Sequence, residues 1–350
     1  RTRRTPAHVA NPSTEPKANM KIMHKAAAAV LTITVSLGLV ACGSTDAPQS
    51  ASPQSGTSIP EVERDGDFNF PATTGGYGED TEISAGEGDA PTDKVYVKTL
   101  VQGDGAEVQL TDTVYVNYEL ALWDGTKVES SFETGKPIAF ALNRVIPGWT
   151  YGLATQHVGD RVELVVPATW AYGDKDSASI PANSTLIFVV DLLDSTSNVS
   201  IDEESLKNAT ATGNELPAGI SVEGAPAVEP TLSFTEGSAA PTEDASIDIY
   251  TGIGETIEDG DIVLYRGLGA PFGDASQIQS TWSDTTNKYT ADAADLKVVG
   301  KTVGTRFLYI AGASAAAQQS AQSGAQSDST QTITPKVFVL DVIGVMKAHR

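Results

Sequence analysis

The chain has 350 residues, a formal net charge of −22 and a single cysteine. At roughly 100–200 residues per domain, that length suggests about two domains. The acidic balance argues against a body built to neutralise nucleic-acid phosphates or to lie on anionic lipid, and one cysteine excludes an intrachain disulfide and any cysteine-built metal site. The histidines, His8, His24, His157 and His349, have no ligand spacing, so neither metal nor cofactor is expected.

The positive charge is concentrated at the start, where residues 1–25 hold Arg1, Arg3, Arg4, Lys17, Lys21 and Lys25 against Glu15 alone. From Met20 the pattern is that of a secretory signal: a basic beginning, then an uncharged apolar run from Ala26 to Val40. This run falls short of the ~20 apolar residues of a comfortable spanning helix. It ends in Leu39-Val40-Ala41-Cys42-Gly43, which resembles the bacterial lipobox, in which the cysteine is lipidated and becomes the first mature residue. The expectation is an upstream extension over 1–19, a signal peptide over 20–41 and a lipid anchor on Cys42. That anchor would hold the protein on the extracytoplasmic face of the bacterial membrane. Residues 42–93 are rich in Ser, Thr, Pro, Gly, Asp and Glu with no apolar period, the composition of a disordered acidic tether. Asp65, Asp67 and Asn69 begin a calcium-loop spacing, but Phe70 stands where its turn needs glycine.

The first globular unit is expected over 94–195. Lys94–Val101 alternates as a strand, Thr113–Leu122 is rich in β-branched and aromatic residues, and Asp124-Gly125 marks a hairpin turn. Val128, Ile138–Leu142, Arg161–Val166 and Leu186–Leu193 supply more strand, and Trp149–Gln156 the one helix. Many strands with one short helix indicate an antiparallel sheet wrapped on a helix, an α+β domain. Val145-Ile146-Pro147-Gly148-Trp149 and then Trp170-Ala171-Tyr172-Gly173 suggest an oily floor with one hydroxyl at its rim.

The ordered set Val116-Asn117-Tyr118, Asp124-Gly125-Thr126, Glu129-Ser130-Ser131, Gly135-Lys136-Pro137-Ile138, Val145 to Trp149, Gly152-Leu153, Val158-Gly159, Ala171-Tyr172-Gly173, Ile180-Pro181 and Leu186-Ile187-Phe188 resembles the FKBP-type peptidyl-prolyl isomerases. With the lipobox, the resemblance implies a bacterial, more narrowly actinobacterial, lipoprotein. It implies a curved sheet around a short helix, with Trp149 as pocket floor and Tyr118, Phe140 and Phe188 as aromatic walls. Val145 and Ile146 would line one side, the Ile146 amide would hold a substrate carbonyl, Tyr172 would donate its hydroxyl beside the Xaa-Pro bond, and Ile180 would close the far rim. Glu129 would stand for the family's aspartate, while Val128 and Ile138 replace rings. A shallower pocket with reduced turnover and weak macrolide binding follows. Twisting an Xaa-Pro amide breaks its resonance over a barrier of about 18–20 kcal/mol. An apolar pocket favours the less dipolar twisted state, so no nucleophile or cofactor is needed.

Residues 196–245 resemble an acidic linker with Pro217, Pro226, Pro230 and Pro241. Residues 246–346 then repeat the first layout, which implies a degenerate FKBP-like copy. Gly260-Asp261 falls over Asp112-Thr113, Ile262–Leu268 over Val114–Leu120, Ile278–Trp282 over Val128–Phe132, Val303–Arg306 over Val158–Arg161 and Val337–Ile343 over Ile187–Leu193. In this alignment Arg266 replaces Tyr118 and Gln279 replaces Glu129, no tryptophan lies near Leu296–Val299, and a low-complexity loop fills 314–334. Gly300-Lys301-Thr302 lacks the earlier glycine of a phosphate loop, and no serine-hydrolase elbow is present. The expected partners are proline-containing unfolded or exported proteins, met by a monomer. The competing expectation is a holdase or scaffold that grips such segments without useful turnover.

Overall fold

Runs of β-branched and aromatic residues set the architecture. In the computed structural model, which describes residues 59–177, 179–284, 288–315 and 334–347, the strands read in the sequence fall in two seven-stranded sheets, which also take in short strands that the sequence did not disclose. The signal segment, Cys42 and most of the low-complexity loop lie outside the described residues. The first lobe runs β1 (Val62–Arg64), β2 (Val95–Val101), β3 (Thr113–Leu122), β4 (Lys127–Ser130), β5 (Ile138–Ala141), α1 (Pro147–Leu153), β6 (Arg161–Val166) and β7 (Leu186–Ser195). Its sheet has the order β1-β2-β6-β7-β3-β4, with β5 beside β3. The pairings are antiparallel except β1 with β2, which is parallel. The helix begins at Pro147 and ends at Leu153, two to three residues ahead of the expected span.

Both faces of this sheet are covered, which is why β6 is buried at every position. Val162, Leu164, Val166, Phe188, Val190 and Leu192 face inward onto Trp149 and Leu153. Ala121, Val165, Ile187 and Val189 face outward onto Ile83, Phe68, Phe70 and Trp123. Each fully buried large aliphatic contributes about 1.5–3 kcal/mol, so neither cover is incidental.

The outer cover corrects the expected tether. Residues 59–93 are folded onto the first lobe: β1 extends the sheet, Phe68 stacks on Tyr96 with ring centroids 4.0 Å apart, and Gly78 N–H donates to Asp191 Oδ2 at 2.7 Å. The segment buries single apolar residues between polar turns, and such isolated insertions leave no periodicity to read.

The second lobe contains α2 (Glu203–Lys207), β8 (Thr210–Ala211), β9 (Ile220–Glu223), β10 (Thr231–Phe234), β11 (Ala245–Thr251), β12 (Ile262–Pro271), β13 (Gln279–Ser280), β14 (Tyr289–Asp292), β15 (Arg306–Ala311) and β16 (Lys336–Met346). Its order is β13-β12-β16-β15-β11-β8 with β14 beside β12, so β11-β15-β16-β12-β13 follows the path of β2-β6-β7-β3-β4. The expected linker is likewise corrected. The β9–β10 hairpin lays Ile220 and Leu232 over Leu268, Leu308, Ile310, Val337 and Val339 on the outer face.

Hydrogen bonds fix the correspondence of the lobes and move one position. Tyr118 N donates to Ser131 Oγ and Ser131 N to Tyr118 O, both at 2.9 Å; Gly267 and Thr281 make the same pair of bonds, also at 2.9 Å. The residue at the Tyr118 position is therefore Gly267, and Arg266 matches Asn117. Likewise Asp261 matches Asp112, because Gln109 N donates to Asp112 Oδ2 at 2.9 Å and Glu258 N to Asp261 Oδ2 at 2.7 Å. Strand composition aligned these stretches one residue out of step, since side-chain pattern alone does not fix cross-strand register.

The lobes pack together. Tyr115 and Ala139 of the first lobe share a cluster with Val199, Leu206, Ile262, Leu264, Ile343 and Met346. Tyr115 donates its hydroxyl to Gly260 O, Lys288 Nζ donates to Thr196 O, and Lys347 N donates to Asp194 Oδ2 at 3.3 Å.

Candidate functional site

A seven-residue helix is too short to persist alone, so α1 depends on its seat. Proline at its first turn presets the backbone. Gly148 and Gly152 then let it lie flat on the sheet: a Cβ on either would come within 2.2 Å of Val166 and 2.3 Å of Leu164 respectively. This close approach lowers Trp149 into the concave face, where it is 4% exposed.

Four rings meet there. Trp149 lies 5.5 Å from Tyr118, 5.2 Å from Phe140 and 5.3 Å from Phe188, each edge to face, and Tyr118 lies 5.8 Å from Phe140. Such pairs add about 0.5–1.5 kcal/mol each beyond buried area, so they hold the cup in one shape. The rings come from β3, β5, α1 and β7, four elements distant in sequence. Trp149 Nε1 is buried without an acceptor among the described residues.

Val128, Val145 and Ile146 are partly buried against this cluster, and Ile180 is buried within it. Ile138 is exposed at the edge of β5 and stands apart from it, so the wall there is open. Glu129 lies on the exposed side of β4. Its carboxylate, with burial as the larger cause, pushes the Tyr118 hydroxyl well above the usual tyrosine range. Tyr118 therefore keeps its proton and can donate. Its backbone is held in place by the two hydrogen bonds with Ser131, whose hydroxyl also donates to Asn117 Oδ1 at 3.1 Å.

Tyr172 is 44% exposed, on a loop whose folding is local. Gly173, at φ +67°, turns the chain so that its N–H reaches Ala168 O at 2.8 Å, while its own carbonyl accepts from Asn183 N at 2.8 Å. Ser177 and Ile180 exchange backbone bonds of 2.9 and 2.8 Å, which brings Ile180 under the rim. Trp170, to which the sequence reading gave no role, packs against the same cluster and donates Nε1 to Asp93 O at 2.7 Å. Thr150 was also missed; its hydroxyl donates to Leu142 O and ties the helix to the preceding turn.

A family model of FKBP-type peptidyl-prolyl cis-trans isomerases matches residues 105–193. FK506-binding protein 2 of Debaryomyces hansenii is 38% identical over 114 residues, which cover 31% of this chain and 84% of that protein. The chain belongs to the FKBP family. FkpA of Aeromonas hydrophila is 47% identical over 91 residues, 26% of this chain and 34% of that protein. FkpA of Escherichia coli K12 is 41% identical over 112 residues, 32% of this chain and 35% of that protein. The chain thus spans about a third of the length of these FkpA relatives, and the FKBP match falls within the first lobe.

Proposed function

We propose that the first lobe is a peptidyl-prolyl cis-trans isomerase acting on Xaa-Pro bonds of exported or envelope proteins. The four-ring cup floored by Trp149 carries this reading. A prolyl ring seated on Trp149 would take its preceding amide out of water beside the Ile146 N–H and the Tyr172 hydroxyl. There the twisted, less dipolar state loses less than the planar one on desolvation. Two neutral donors can steady the carbonyl as it turns, and the buried Tyr118 hydroxyl, held protonated, adds a third polar point against the aromatic wall. Family membership supports the reaction class.

The second lobe, on this reading, is a copy of the fold that has lost the pocket. Its support is the shared strand path together with Gly267 at the Tyr118 position. The anchor on Cys42 and the extracytoplasmic location belong to the same proposal and rest on the lipobox sequence. Incorporation of radiolabelled fatty acid into the wild type and its loss in Cys42→Ala checks them; equal label in both would reject the anchor.

The open wall at Ile138 favours one other reading, a pocket that grips proline-containing segments with little turnover. Exchange-detected isomerisation of an Xaa-Pro peptide by the full chain separates the two. The isomerase reading expects acceleration that falls about tenfold in Tyr172→Phe, the loss of one transition-state hydrogen bond. Peptide binding without acceleration would leave the holdase.

A further inference from the structure

We propose that Arg64, outside the FKBP-matched residues, is a positioning residue for the prolyl pocket. The inference rests on the isomerase reading of that pocket. The final carbonyls of any α-helix lack internal donors, and many helices close them with a left-handed residue. Here the C-cap, Ala154, is extended at φ −58° and ψ 143°, and the left-handed residue that follows, Thr155 at φ +69°, gives its N–H to Val108 O at 2.9 Å instead of to the helix end.

Arg64 supplies the donors instead. Its Nη1 donates to Gly152 O at 2.8 Å, and its Nη2 donates to Tyr151 O at 2.7 Å and to Ala154 O at 2.8 Å. Among the described residues no other side chain donates to these carbonyls. A planar guanidinium spans three acceptors in a fixed fork, which an ammonium on a flexible stem does not reproduce. The Arg64 backbone is itself fixed: Arg64 pairs with Val97 in the parallel ladder, Asp65 N donates to Val97 O at 2.8 Å, and Thr99 N donates to Asp65 Oδ1 at 2.9 Å. Rigid sheet is thereby linked to the end of the helix that carries Trp149.

The same segment holds the opposite side of the pocket. Asp93 O accepts from Trp170 Nε1 at 2.7 Å and Pro91 O accepts from Thr185 Oγ1 at 3.1 Å, at the two ends of the loop bearing Tyr172. Residues 59–93 therefore clasp both the floor and the hydroxyl rim, and Arg64 is the clasp on the floor.

The test measures isomerisation of an Xaa-Pro peptide by the full chain, well below its unfolding temperature. Displacement of a positioned group by a remote change costs up to about a hundredfold. Arg64→Ala should lower kcat/KM about tenfold, mostly in kcat, and Arg64→Lys about threefold. Asn69→Ala, which removes an exposed bond to Glu87 in the same segment, should leave it within about twofold. A folded Arg64→Ala at the wild-type rate overturns the proposal, as does an equal loss in Asn69→Ala, which would report general loosening. Should Arg64→Ala fail to fold, Arg64→Lys decides alone, and a wild-type rate for it counts against the proposal. An inactive wild type would defeat the isomerase reading only. In that event the fluorotryptophan NMR resonance of Trp149 must still move in the Arg64 variants and stay in Asn69→Ala; an unmoved resonance overturns the positioning role.

Discussion

The two lobes share a frame and differ in what the frame holds. Each has the same central strand path, the same aspartate closing the turn before its long strand, and the same cross-strand ion pair, Arg161 with Asp191 and Arg306 with Asp341. In each, a glycine lets two loops touch: a Cβ on Gly103 would lie 2.3 Å from Val158 O and one on Gly252 2.2 Å from Val303 O. The two lobes differ in the length of one interval. Leu142 N and Ala293 N donate to matching aspartate carbonyls, and Gln156 O and Lys301 O accept from matching strand entries. Residues 143–155 fill that interval in the first lobe and 294–300 in the second, six fewer. Helix α1 and Trp149 have no room there. With Gly267 for Tyr118 and Ala291 for Phe140, the second lobe closes over Leu296 and Val298. Backbone hydrogen bonds and buried charge thus set the fold, while the pocket depends on one short insertion and a few rings.

The largest test of the shared frame removes its arginines. Arg306 makes two bonds to Asp341, at 2.6 and 3.0 Å, and donates to Ala225 O at 3.1 Å and Val228 O at 2.6 Å. Breaking such a buried pair costs about 3–5 kcal/mol, the loss expected for Arg306→Met in urea unfolding. Among the described residues Arg161 has a 3.1 Å contact to Asp191, one bond to Glu79 O at 2.9 Å and the Phe132 ring 5.6 Å away. Burial has already pushed the Asp191 carboxyl up to about 6, so it can take a proton when its partner is removed. Arg161→Met should therefore cost about 2 kcal/mol at neutral pH, and less below pH 6. Equal losses would mean that the two pairs do equivalent work.

The next test exchanges a difference inside the shared frame. Glu163 is fully buried, and among the described residues neither of its carboxylate oxygens has a hydrogen-bond partner, where the matching position of the second lobe is Leu308. Burial pushes its carboxyl up to about 8. A folded value above the unfolded one means that stability is complete below pH ~4.5 and is lost as pH rises toward 8. Glu163→Gln should therefore gain about 2–4 kcal/mol above pH 8 and nothing below pH ~4.5. A gain independent of pH would show that shape, not ionisation, sets the cost.

These two positions also show what a sequence discloses. The strands of both lobes were legible because β-branched residues alternate in them, and the cup residues because Trp149, Tyr118, Phe140 and Phe188 sit at ordered intervals. The covers over 59–93 and 200–240 were not legible. Phe68, Phe70, Ile83, Ile220 and Leu232 are isolated among Ser, Gly and Pro, and their burial is decided by a partner sheet distant in sequence. Arg64 was invisible for the same reason, since its partners are backbone carbonyls that carry no side-chain signature. Arg266 was displaced from the Tyr118 position because composition does not fix register: the offset is already present at Asp261, and both long strands carry their bulge at the matching place, between Tyr115 and Val116 and between Leu264 and Tyr265.

A smaller effect tests whether function follows the longer interval. Trp149→Leu should lower kcat/KM at least about tenfold, roughly 1.4 kcal/mol of transition-state binding. Phe338→Leu, at the Phe188 position of the second lobe, should leave turnover within about twofold. A matching loss from Phe338→Leu would place activity in both lobes.

The smallest effect concerns how the lobes are joined. Tyr115 is buried between them, and its hydroxyl donates to Gly260 O of the second lobe. Burial pushes its pKa up to about 12, so the proton stays in place at every pH where the protein is handled. Tyr115→Phe keeps the ring in the shared cluster and deletes that one bond, which should cost about 1 kcal/mol. The Gly260 carbonyl sits in a turn that water can reach once the hydroxyl is gone, so no buried acceptor is stranded and the cost stays near the lower bound for a lost bond. If the lobes unfold as one unit, the variant shifts a single transition. If its loss instead appears only in the second of two transitions, the shared cluster is a contact between independent folds, and the frame common to both lobes is sufficient for each alone.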